Sequence, residues 1–127
     1  MKKHIILIVD DDALIVDTLK KKFSVLGTEV YTANGPEKAK EILEKVFPEV
    51  VILDLLLTKD DGSQGILDYM KSKPALENVP VIVLTNMDKP EIKSLLLSQG
   101  VKEYLIKGSL SLDEIYKKVF SYLEPQG

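Results

Sequence analysis

Short apolar runs recur along this chain, and longer amphipathic stretches separate them. That alternation limits the possible folds more than any other feature. Ile5–Val9, Val50–Leu53 and Val79–Thr85 are almost continuously apolar, as suits strands covered on both faces. Weaker strands fit Val30–Ala33 and Tyr104–Ile106. After the first strand, Ala13–Leu26 has helical spacing at Leu14, Leu19, Phe23 and Leu26, with Gly27 as its stop. Asn34-Gly35-Pro36 opens a second helix through about Val46, with Ala39, Ile42, Leu43 and Val46 inward. The polar loop TKDDGS leads to a third, about Gly65–Ser72. Pro90, tolerated in a first turn, starts a fourth that runs to Gly100. On it Ile92, Leu95 and Leu96 suit the core, and Leu97 faces outward. A fifth covers roughly Leu112–Leu123.

Five strands alternating with five helices predict an α/β layer fold on a parallel sheet. No segment is left over for a second domain, so residues 1–127 read as one domain with its core at about 4–123.

Composition excludes several functions. The formal net charge of -3 gives no basic field for nucleic acid. The absence of cysteine excludes disulfides and thiolate metal sites. His4 is the only histidine, which excludes a multi-histidine metal site within the chain. Near the N-terminus it is expected to be solvated. No apolar run approaches the roughly 20 residues that span a bilayer. MKKHIILIV imitates the start of a signal peptide, but aspartates cut it short. The expected location is the cytoplasm.

In a parallel sheet the carboxyl ends of all strands lie on one edge, where ligands of such folds bind. The first strand ends at Asp10 and Asp11, the third at Asp54, the fourth at Thr85 and the fifth at Lys107. Taken singly, each has an ordinary explanation. Asp12 in particular reads as the cap of the next helix. Together they place three carboxylates, a hydroxyl and a lysine in one crevice. Oxygen-only ligands select a hard divalent ion, and Mg2+ takes one or two carboxylates plus water and phosphate oxygens. Mn2+ would serve as a substitute. Such an ion offsets the repulsion and accepts a phosphoryl oxygen, while Lys107 neutralises another and Thr85 donates to a third. Asp54 is then a carboxylate nucleophile that forms an aspartyl phosphate.

The pieces LIVDDD, VVILDLLLTKDDG, PVIVLT and YLIK, in this order and spacing, resemble a bacterial response-regulator receiver domain over nearly the whole chain. The resemblance implies the flavodoxin-like, doubly wound strand order 2-1-3-4-5 with helices on both faces. It implies that Asp54 accepts a phosphoryl group from the phosphohistidine of a sensor histidine kinase or phosphotransfer protein. Asp11 would bind Mg2+ directly and Asp10 through water, with Asp54 and the backbone carbonyl of Leu56 completing the protein ligands. Lys107 would pair with the acceptor and later the phosphate, and Thr85 and Tyr104 would be the switch residues. Thr85 would move toward a new phosphoryl oxygen and Tyr104 would turn inward behind it. The output would be a changed surface on the fourth helix, fifth strand and fifth helix, read by a downstream protein target. Neither direct nucleic-acid binding nor a membrane is implied. Nor is an enzyme in the usual sense, since the chain would catalyse only its own phosphoryl transfer and slow dephosphorylation.

Three positions depart from the family pattern. Leu57-Thr58 replaces the usual Met-Pro, Gly108 replaces the proline after the lysine, and Asn86 replaces a small residue after the switch threonine. Gly108 removes the reason for a cis bond, because a non-proline cis peptide costs about 2.5–4 kcal/mol. A trans bond is expected, with glycine's freedom re-aiming the loop. By the same resemblance Leu56, Asn86 and Met87 would modulate the phosphoryl lifetime, Leu56 and Met87 shielding the site from water.

Two other readings share some of these residues. DDDAL fits the Asp-x-Asp nucleophile of dehalogenase-like phosphohydrolases, with Asp10 attacking and Asp12 as acid and base. Leu14 then stands where that motif has Thr or Val, and Asp54 has no role. A flavin carrier of the same topology needs a phosphate-binding first loop, and the aspartates here would repel a phosphate.

Overall fold

The computed structural model describes residues 3–25, 27–55 and 62–123. The elements run β1 (Ile5–Val9), α1 (Ala13–Ser24), β2 (Glu29–Ala33), α2 (Pro36–Leu43), β3 (Val50–Leu53), α3 (Gly62–Lys71), β4 (Val81–Thr85), α4 (Pro90–Ser98), β5 (Glu103–Ile106) and α5 (Leu112–Phe120). The five strands form one sheet in the order β2-β1-β3-β4-β5. Every pairing is parallel, as the sequence predicts.

β1, β3 and β4 have a neighbour on each side and a helix layer over each face, so their residues are buried without exception apart from Ile5. Their side chains alternate between two cores. Leu7, Val9, Val51, Leu53 and Val83 point to the core closed by α2, α3 and α4, with Ala39, Ile66, Met70 and Leu96. Ile6, Ile8, Ile52, Ile82 and Leu84 point to the other, closed by α1 and α5 with Leu19, Phe23, Ile115 and Val119.

The differences from expectation lie at element ends. α2 stops at Leu43 rather than Val46, because the Lys45 N–H turns onto Ile42, three residues back instead of four, and Pro48 follows. α3 begins at Gly62, three residues before Gly65, and takes in what reads as loop. β4 begins at Val81, since Val79 spends its N–H on Leu76 and Pro80 has none. α1 ends at Ser24, and Leu26 lies outside the described residues. Gly27 has φ +80° and marks the stop. α4 and α5 end at Ser98 and Phe120, somewhat before Gly100 and Leu123. Leu95 is 51% exposed instead of inward, because Ile92 and Leu96, four residues apart, take the buried stripe. Leu97 is exposed as expected.

His4 is half-buried, with Nδ1 2.9 Å from the Glu49 carboxylate. It is therefore not the freely solvated residue its position suggests.

Candidate acidic phosphoacceptor site

The backbone carries Asp10 and Asp54 to the same place. Asp10 follows β1 and gives its N–H to Ala33, and Asp54 follows β3 and gives its N–H to Val9. The parallel ladder thus continues one residue beyond each strand and sets both carboxylates at the sheet edge. Both are buried, with 3% and 4% of their surface exposed. Asp11 is exposed. Ligand oxygens of Asp10, Asp11 and Asp54 lie within 4.8 Å of one another.

Lys107 follows β5 in a single 3-10 turn, Lys107–Ser109. Its Nζ stands 3.0 Å from Asp54 Oδ2 and 3.0 Å from Asp10 Oδ2, and donates to Asp10 Oδ1 at 3.2 Å. Asp12 Oδ2 is farther, at 3.8 Å. Asp12 chiefly caps α1, its side chain accepting from the N–H of Ile15. That is the structural role the sequence suggests for it.

Burial pushes the Asp10 carboxyl up to about 6, against the pull of the Asp12 amide and Lys107. Burial draws Lys107 down, but its hydrogen bonds to Asp10 and Asp54 outweigh that and leave it raised. The site therefore holds its negative charge at a cost. Asp10 Oδ2 is buried, close to Lys107, yet makes no hydrogen bond. A buried oxygen of that kind beside two further carboxylates suits a divalent cation. The residues present fit the ion that the sequence implies.

Thr85 is fully buried at the end of β4, and its Oγ1 accepts from the N–H of Met87 at 3.3 Å. Tyr104 is already inward, and its hydroxyl donates to the carbonyl of Met87. Burial, then the charges of Asp88 and Glu91, raise that phenol. The backbone of one residue, Met87, thus joins the two residues that the sequence reading treats as a pair, through its N–H on one side and its carbonyl on the other. The role of Met87 as a backbone link was missed there, because a side-chain reading gives no sign of it. Asn86 is exposed and Met87 half-buried. Leu56, Leu57 and Thr58 lie outside the described residues.

No cis peptide bond occurs among the described residues, and Lys107–Gly108 is trans as expected. Gly108 does not use the left-handed region, so the expectation that glycine's freedom re-aims this loop is wrong. The 3-10 turn itself turns the chain.

The response regulator receiver domain family matches residues 6–120. The chain belongs to that family. Among curated relatives, the "Probable transcriptional regulator ycf27" of Porphyridium aerugineum is 32% identical over 107 residues, covering 84% of this chain and 43% of that protein. Response regulator protein GraR of Staphylococcus aureus (strain JH9) is 29% identical, covering 92% of this chain and 53% of that protein. The chain spans about half or less of the length of these relatives. Among solved structures, the signal receiver domain of the DNA binding response regulator merR from Colwellia psychrerythraea 34H superposes with TM-score 0.83 at 27% identity, covering 97% of this chain and 100% of that one. This receiver domain shares their doubly wound architecture. No helix among its described residues is long and apolar enough to cross a membrane.

Proposed function

We propose that this receiver domain is a phosphoacceptor switch in a two-component relay. Asp54 receives a phosphoryl group from the phosphohistidine of a sensor histidine kinase or phosphotransfer protein. The observation that carries this reading is the single ammonium of Lys107 set 3.0 Å from the buried carboxylates of both Asp10 and Asp54. A structural ion pair needs one acid. A second leaves excess negative charge that suits a divalent cation, and the ammonium and that cation together can then neutralise a transferred anion.

An Asp54 carboxylate oxygen forms the new bond to phosphorus as the phosphorus–nitrogen bond of the donor imidazole breaks. The imidazole nitrogen keeps the electron pair and takes up a proton. Phosphoryl transfer of this kind depends on positioning and charge neutralisation. Lys107 neutralises one phosphoryl oxygen, and the Thr85 hydroxyl donates to another. Asp10, Asp11, Asp54 and the carbonyl of Leu56 would hold Mg2+, with Mn2+ as substitute. Bound there, the ion neutralises phosphoryl oxygens and offsets the acid pair.

Thr85 leaves the Met87 N–H when it turns to the phosphoryl group. The Met87 backbone then shifts on both sides of its Cα, and with its carbonyl the Tyr104 hydroxyl that the carbonyl anchors. This changes the surface of α4, β5 and α5, which a downstream protein reads. The chain acts in the cytoplasm as one receiver domain over residues 1–127, with no separate substrate to turn over.

The test is intact-mass analysis after incubation with Mg2+ and a small acyl phosphate. One phosphoryl group should add to the parent and none to Asp54→Asn. Equal incorporation in both would refute the reading.

A further inference from the structure

The first turn of α3 carries two adjacent polar residues that face different parts of the molecule. Ser63 is buried, and its Oγ donates to the backbone carbonyl of Asp54 at 2.9 Å. With the Asp54 N–H already on Val9, the acceptor's backbone is fixed at both its N–H and its carbonyl. Gln64 uses one amide nitrogen twice. Nε2 donates to Asp68 Oδ1 on its own helix at 2.9 Å and to Gln99 Oε1 at 2.9 Å. The first bond holds the side chain in place and the second reaches the end of α4.

That end of α4 is its fastened one. Gly100 takes φ +103°, Gly100 N–H returns to Leu97, and Val101 N–H returns to Leu96. This is the reciprocal pattern that closes helix C-termini, with the apolar pair Leu96 and Val101 buried in one core. At the other end Lys89 gives α4 no side-chain cap.

We infer that Ser63 and Gln64 make the first turn of α3 a strut between the acceptor and the C-terminus of α4. Ser63 is a positioning residue for phosphoryl transfer, and Gln64 carries the acceptor's state to α4. This rests on Asp54 being the acceptor. It does not run through the backbone of Met87, so it is a second connection to the same surface.

The experiment compares the whole chain with Ser63→Ala, Ser63→Thr and Gln64→Ala. Phosphorylation by an acyl phosphate with Mg2+ is followed over donor concentration. Amide exchange is measured at Gly100 and Val101, with and without phosphorylation. Ser63→Ala should lower the maximal rate about tenfold, while the half-saturating donor concentration moves less than about twofold. Ser63→Thr keeps the hydroxyl and should restore the rate. Gln64→Ala should phosphorylate at near the parent rate but lose the phosphorylation-dependent change in exchange at Gly100 and Val101. A parental rate in Ser63→Ala, no rescue by threonine, or an exchange change that survives in Gln64→Ala would overturn the strut alone. A parent that takes no phosphoryl group overturns the acceptor reading and the strut with it.

Discussion

Lys107 stands 3.0 Å from two buried carboxylates, so removing it takes one ammonium from beside both. Replacement by methionine should destabilise the metal-free protein by about 3 kcal/mol, read as a loss of denaturant midpoint. Asp10 acts in the opposite sense. A carboxyl raised from 3.8 to about 6 in the folded protein costs stability when ionised. The cost is absent below the ordinary value and complete above the raised one. In chelator at about pH 8, Asp10→Asn should therefore be more stable than the parent by roughly 1–2 kcal/mol. Acidification below about pH 4 should erase the difference. A gain that persists in acid would contradict burial as the cause. Asp10, Asp54, Thr85 and Lys107 were legible because each directly follows or ends an apolar run. Ser63 was not, since a serine between glycines in GSQG reads as loop. Only the fold reveals what its hydroxyl meets.

At the scale of elements, strand cores were legible and helix ends were not. A strand buried on both faces leaves an apolar run in the sequence. A helix end depends on where single N–H groups turn, as at Ile42. Two ends do carry sequence signatures, and each gives a test. Ser111 and Glu114 form a reciprocal capping box at the start of α5. Ser111→Ala should cost about 0.5–2 kcal/mol, with faster amide exchange in the first turn of α5. Glu114 is held below its ordinary 4.5, first by the Ser111 backbone bond. Its contribution is therefore complete above that value and declines in more acidic solution. Gly100 sits at φ +103° with open space where a side chain would go. Gly100→Ala should thus cost about 1–2 kcal/mol through backbone strain alone. A neutral substitution in a thermal melt would contradict it.

For the molecule as a whole, phosphorylation at one sheet edge has to reach α4, β5 and α5. Thr85 and Tyr104 meet at the backbone of Met87, so Thr85→Val should still take a phosphoryl group, at a lower rate. It should lose most of the phosphorylation-dependent change in amide exchange around Met87 and the start of α4. An unchanged exchange difference would mean that the Met87 link does not carry the signal. Strand order and the two-core arrangement followed from the sequence pattern and the resemblance together. The pairing of Thr85 with Tyr104 through the backbone of one residue did not, because hydrogen bonding to the main chain leaves no trace in residue identity. The effects of phosphorylation presuppose that Asp54, and neither Asp10 nor Asp11, forms the acyl phosphate. Borohydride reduction of the phosphorylated protein converts that aspartyl residue to homoserine, which peptide mass spectrometry locates. Homoserine at position 54 alone is the expected result, and homoserine at position 10 or 11 would contradict the account.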